Sequence, residues 1–177
     1  MRKLKITELN RLTPEAFKES EKTPLVVVLD HVRSLNNVGS VFRTSDAFRV
    51  EAIYLCGITA CPPNAEIHKT ALGAEDSVDW KYFNDTSDAV DNLKEQGYIV
   101  CAIEQVEGSI MLPNLVLDKS KKYAIILGNE VKGVQQSVVD KCDMCIEIPQ
   151  YGTKHSLNVS VSAGIVIWEF FRQLFRL

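Results

Sequence analysis

The sequence lacks, first of all, an apolar run long enough to cross a bilayer. Its longest uninterrupted stretches, such as Pro24 to Leu29 and Ala124 to Leu127, fall far short of the roughly 20 residues a spanning helix needs. The basic start, Met1-Arg2-Lys3-Leu4-Lys5, leads into no apolar core, so a secreted protein is not expected. A surplus of positive charge is missing too. Twenty Lys and Arg stand against 23 Asp and Glu, a net charge of −3, and composition alone points away from nucleic acid. No disulfide framework is legible either: five cysteines are an odd number, and 177 residues bury a sufficient core without staples. Reduced thiols in a cytoplasmic protein are expected. Repeats, low-complexity tracts and linkers are absent, which leaves a short N-terminal extension, residues 1–23, ahead of one folded unit, residues 24–177.

What the chain does have is an alternation of two patterns. Apolar, β-branched runs closed by turn residues predict strands at Leu25 to Leu29, Ala52 to Cys56, Val78 to Phe83, Tyr98 to Ile103, Tyr123 to Leu127 and Met144 to Ile148. Between and after them, helical periodicity covers Asn37 to Phe48, Thr86 to Gln96, Val134 to Lys141 and Leu157 to Phe175, with a further helix from Thr13 to Lys22. Asp85 and Gly97 bracket the second of these as cap and stop. In the last, Val161, Ile165 and Trp168 share one side. Strands alternating with helices make an α/β fold, a mostly parallel sheet with helices on both faces. Ligands bind such sheets beyond the carboxyl ends of the strands. Attention therefore falls on Asp30 to Arg43, Gly57 to Lys69, Gly128 to Gly133 and Pro149 to Asn158.

Three of those four segments carry a chemical pattern. In the first, Asn36 is placed to cap a helix, Gly39 permits close backbone approach, and Arg43 follows Asn37 at six residues' distance. The Arg43 guanidinium can grip a phosphate or carboxylate with two parallel hydrogen bonds. In the second, the strand Ile125-Ile126-Leu127 runs into Gly128-Asn129-Glu130 and closes on Gly133, a turn that presents backbone N–H groups to a ligand. It is neither a dinucleotide fingerprint nor a P-loop. In the third, Ile148-Pro149 leads through Gly152 to Ser156-Leu157-Asn158-Val159-Ser160, with Ser156 and Asn158 suited to open a helix. Taken singly, each has a plain structural explanation in a capped helix or a tight turn.

Together and in this order, the three segments resemble the motifs of the SpoU/TrmH branch of the SPOUT methyltransferases, and the similarity runs from about Leu25 to the C-terminus. The resemblance implies S-adenosylmethionine-dependent methylation of a ribose 2′-hydroxyl in RNA, a C-terminal trefoil knot around the cofactor, and a homodimer with each site near the subunit interface. The apolar last helix and the Asn37 helix are the surfaces expected to make that contact. It implies a catalytic role for Arg43, support from Asn37, and further site roles for Glu130, Ser156 and Asn158. Cofactor contacts are implied around Leu127, Gly128, Ile148 and Leu157, with Ile103 and Glu104 near the cofactor ribose; Glu104 also reads as an ordinary strand-end carboxylate. No metal is implied. Some relatives carry a separate N-terminal RNA-binding domain; only Met1 to Lys22 precede the first strand here, so that domain is not expected. On the same analogy tRNA is favoured over rRNA, while the RNA and the nucleotide modified are not readable.

Other features invite different chemistry. Cys142 and Cys145 form a C-x-x-C pair, and Cys56 with Cys61 offers two more thiols, but no glycine-rich knuckle flanks them. His155 adjoins Ser156, yet neighbours in sequence rarely face one another and no nucleophile elbow is present. His68 is isolated, Trp80 and Trp168 read as packing residues, and Lys119 to Lys122 as a solvated basic loop. Two other functions fit the same α/β pattern: an RNA-binding relative without catalysis and a nucleotide-binding regulatory module.

Overall fold

The computed structural model describes residues 1–175. Seven strands, β1 (Thr23–Asp30), β2 (Val50–Cys56), β3 (Asp79–Phe83), β4 (Tyr98–Ile103), β5 (Ile110–Met111), β6 (Lys122–Leu127) and β7 (Met144–Glu147), form one sheet in the order β3-β2-β1-β6-β4-β7-β5. Every pairing is parallel. The central strands β1 and β6 are buried on both faces, which is why they read as continuous apolar runs rather than alternating ones. Among the described residues, seven α-helices complete the fold: α1 (Pro14–Glu19), α2 (Leu35–Ala47), α3 (Ala65–Ala71), α4 (Ala74–Ser77), α5 (Thr86–Glu95), α6 (Gln136–Val139) and α7 (Val159–Leu174).

The sheet divides the core in two. Leu25, Val27 and Leu29 of β1 point toward Phe42 of α2 and Ile167 and Phe170 of α7. Val26 and Val28, on the opposite face, meet Val90 and Leu93 of α5 and Val138 of α6. Helices therefore cover both faces, as the alternating pattern predicts. Phe17 of α1 joins the first cluster and is 5% exposed, so the N-terminal extension packs onto the body. Among the described residues, no helix is long and apolar enough to cross a membrane.

Several boundaries differ from the sequence expectation. Helix α2 is capped by Ser34, not Asn36: the Ser34 hydroxyl accepts the Asn37 N–H at 3.3 Å, and Asn36 already lies inside the helix. Helix α6 keeps four of the eight residues expected, and α1 stops at Glu19. Helix α7 begins at Val159, one residue after its cap Asn158, so Ser156 and Leu157 belong to the preceding loop. The stripe Val161, Ile165 and Trp168 faces solvent, while Ala163, Val166, Ile167, Phe170 and Leu174 face the core. This helix is apolar on two sides, which a single-face reading does not capture. Strand β5 and helices α3 and α4 were not expected.

Gly39 fixes how α2 meets α3. A Cβ there collides with the Ile67 carbonyl and the Thr70 hydroxyl, so only glycine lets the two helices approach this closely.

Candidate active site

The carboxyl ends of β1, β4, β6 and β7 converge on one side of the sheet, and the loops that follow them build a single constellation. After β6, the chain turns back on itself: Asn129 and Gly133 exchange backbone hydrogen bonds of 3.0 and 2.9 Å. The Asn129 side-chain oxygen accepts the N–H groups of Val131 and Lys132 at 2.9 and 3.1 Å, and its amide donates to the His31 carbonyl at 2.8 Å. Gly133 sits at φ +67°, a conformation that favours glycine, and the Glu104 carboxylate packs where a Cβ would stand. Glu104 in turn accepts the N–H groups of Val134 and Gln105 at 3.0 and 2.9 Å. It is therefore a brace between β4 and this loop rather than a loose strand-end charge.

Glu130, at the tip of the same turn, reaches the start of α2. Its carboxylate accepts the backbone N–H groups of Arg33 and Ser34 and the Asn37 side-chain amide, each at 3.0 Å. Burial opposes its charge, but these donors outweigh that cost and hold its pKa below the ordinary 4.5. An anion beside the N-terminus of α2 also suits the helix dipole. Asn37, 9% exposed, passes the connection on, its oxygen accepting the Asn158 amide at 3.2 Å. The Asn158 oxygen accepts the Ser160 N–H at 2.9 Å and its hydroxyl at 2.7 Å, capping α7. One continuous chain of hydrogen bonds thus joins all three sequence motifs.

A cavity of about 670 Å³ opens between these loops. Ile103, Glu104, Leu127, Gly128, Ile148 and Leu157 all line it, as do Glu130, Ser156 and Asn158. Asn37 lies behind that lining and touches it through Glu130 and Asn158. Arg43 is not brought into the cavity. It stands on α2, exposed, without an ion-pair or hydrogen-bond partner among the described residues.

Sequence reasoning missed the parts played by backbone and by strand ends. Asp30, fully buried at the end of β1, accepts the Thr86 hydroxyl at 2.6 Å and both the backbone and side-chain N–H of Gln135 at 3.0 Å, which fixes the exit of the Gly128–Gly133 loop. A lone aspartate closing an apolar strand was the available signal. Gln105 donates to the His155 carbonyl at 3.0 Å and holds the long loop before α7 against β4. The thiols lie outside this arrangement: burial pushes Cys56 and Cys142 up to about 12, leaving almost no thiolate at neutral pH. His68 is occupied by Glu75 at 2.6 Å.

The same residues carry a likeness to known proteins. The model of the SpoU rRNA methylase family matches residues 24–168. The chain belongs to this family. Among SpoU relatives, a 23S rRNA (guanosine-2′-O-)-methyltransferase from Nitrosomonas europaea is 35% identical over 95% of the chain and 64% of its own length. An uncharacterised tRNA/rRNA methyltransferase from Borreliella burgdorferi is 32% identical over 90% of the chain and 68% of its own length. The chain thus spans about two thirds of the curated relatives it matches. In structure it resembles the A. aeolicus TrmH/SpoU tRNA-modifying enzyme, with TM-score 0.78 and 28% identity over 90% of this chain and 79% of that one. It also resembles an AdoMet-bound rRNA methyltransferase from Sinorhizobium meliloti, with TM-score 0.80 and 27% identity over 94% and 62%.

Proposed function

We propose that this chain methylates a ribose 2′-hydroxyl of RNA using S-adenosylmethionine (AdoMet) held in the cavity beyond β4, β6 and β7. The observation that carries the reading is the hydrogen-bonded chain Glu130–Asn37–Asn158, which ties the walls of one cavity to the helix bearing Arg43. The donor set fits the cofactor. Ile103, Leu127, Ile148 and Leu157 offer apolar walls to a nucleoside, the volume lies in the range of small-molecule sites, and Glu104 and Glu130 favour a cation nearby.

Bound AdoMet supplies an already activated methyl group. The chain's own residues are left with alignment and with the proton. Ser156 and Asn158, lining the cavity, hold the ribose in register, an entropic contribution. Arg43 stands outside its own chain's cavity, so its assigned part, gripping a backbone phosphate and stabilising the developing alkoxide, belongs to a site completed at the proposed subunit interface. It is not the base because guanidinium stays protonated, and the hydroxyl proton is released to solvent water. Glu130 and Asn37 act as positioning residues.

A second copy docking on α7 and α2 is part of the same proposal, supported by the solvent-facing stripe Val161, Ile165 and Trp168. So is a C-terminal trefoil knot, supported by β7 inserting between β4 and β5 and by α7 returning across β1 to α2. Residues 24–177 are taken as the methyltransferase unit and residues 1–23 as its extension. A cytoplasmic setting accords with five free cysteines. We favour tRNA over rRNA on family analogy alone: the A. aeolicus enzyme that the chain resembles modifies tRNA, while the 35%-identical relative from Nitrosomonas europaea acts on 23S rRNA.

Calorimetry with AdoMet, followed by transfer of labelled methyl to bulk RNA from cells lacking the protein, tests the reading. Binding in the micromolar range and label in 2′-O-methylated nucleotides of tRNA are expected. AdoMet binding without transfer favours the non-catalytic RNA binder, and affinity for ATP or NAD but none for AdoMet favours the regulatory module.

A further inference from the structure

The mouth of the cavity is built unlike its interior. Inside, the carboxylates are occupied. Glu104 accepts two backbone N–H groups, Glu130 accepts three donors, and Glu147 accepts the Ser109 hydroxyl at 2.8 Å. At the rim, the loop between β7 and α7 is held at Ile148, which packs against the core, and at His155, whose carbonyl accepts the Gln105 side-chain amide. Between those points Tyr151 projects almost wholly into solvent, 95% exposed. Aromatic side chains usually bury most of their surface. Tyr151 touches no other aromatic ring among the described residues. Lys154 follows it, and Lys132 stands on the Gly128–Gly133 turn, which lines the same cavity. Both lysines are exposed and without a carboxylate partner among the described residues.

We infer that Tyr151 is a stacking platform for a base next to the methylated nucleotide, with Lys154 and Lys132 holding the flanking phosphates. The inference rests on the reading of the cavity as an RNA methylation site and names what receives the RNA there. Helical RNA displays its 2′-hydroxyls in the shallow minor groove, but sequence-specific sites lie mostly in loops and bulges, and there the base beside the nucleotide drawn to the cavity is unstacked and can take a new surface. An exposed ring on the loop that carries Lys154, across the cavity mouth from the turn that carries Lys132, provides it. Aromatic faces stack single-stranded bases with little sequence preference, while lysines track the backbone. The protein as a whole is acidic and three carboxylates line the cavity, so the two exposed lysines are what the mouth offers an RNA backbone.

The test measures RNA binding separately from methyl transfer. Filter binding with tRNA extracted from cells lacking the protein is compared for the unaltered chain, Tyr151→Ala, Tyr151→Phe, Lys132→Ala and Lys154→Ala. Tyr151→Ala is expected to weaken RNA binding and raise the RNA KM about tenfold, with AdoMet affinity unchanged, and Tyr151→Phe to stay within about twofold of the unaltered protein. Each lysine variant should lower the slope of log affinity against log salt by about one. Unchanged RNA affinity in Tyr151→Ala overturns the inference. A loss of AdoMet affinity, which assigns the ring to a cofactor lid, overturns it too, as does dissociation of a dimer, which assigns it to a partner subunit. If the unaltered chain binds this RNA but transfers no methyl, the reading of the site fails while the platform is still judged by binding.

Discussion

A carboxylate that already accepts three hydrogen bonds has little capacity left to take a proton from substrate, and this decides how Glu130 works. Its pKa lies below 4.5 in the folded chain, so its bonds to Arg33, Ser34 and Asn37 are intact above that pH and are lost only as pH falls through the depressed value. Across pH 6 to 9 the kcat profile should contain no step from Glu130. Glu130→Gln should lower kcat without altering the shape of that profile, because an amide presents a donor where the backbone needs acceptors; a vanished limb would identify a general base instead. For Arg43 the expectation is steeper. Arg43→Lys retains charge but loses the planar fork, and turnover should drop on the order of 10²-fold in single-turnover assays. At this scale the sequence singled out Asn37, Glu130 and Asn158 but not that they touch: Asn37 and Glu130 lie 93 positions apart, and Asn37 and Asn158 121. No local periodicity encodes such contacts.

Among the elements, the strongest test falls on the α2–α3 crossing. Gly39→Ala places a methyl group against the Ile67 carbonyl, so urea unfolding should show a loss of about 1–3 kcal/mol. Replacing Gly152, around which a Cβ meets nothing, should change the midpoint little. The long elements were legible because their burial is periodic or continuous: β4 runs from Tyr98 to Ile103 as its pattern predicts, and Asp85 caps α5. The short ones were not. β5 is two exposed residues whose pairing comes entirely from β7, and α4 is a single turn held between neighbours. The shift of the α2 cap from Asn36 to Ser34 has the same origin, since Glu130, distant in sequence, fixes the backbone of Arg33 and Ser34 before the helix begins.

For the whole molecule, the outward stripe of α7 makes a measurable claim. Trp168, 46% exposed, lies 5.5 Å from Phe48 between ring centroids, and Ile165 and Val161 extend the same surface. On the proposed docking of a second copy here, the unaltered chain should sediment as a dimer and Ile165→Asp as a monomer, with AdoMet binding per chain unchanged. Finally, the parallel order of the sheet bears on synthesis. Val27 pairs with Ile125, so the first strand made must wait for one that emerges when most of the chain has left the ribosome. The loops after β6 and β7 that wall the cavity come later still. Slow maturation through non-local pairing is expected. A nascent chain cut short before residue 122 has neither the centre of its sheet nor a pocket, so such fragments should be substrates for proteases rather than partly active enzymes.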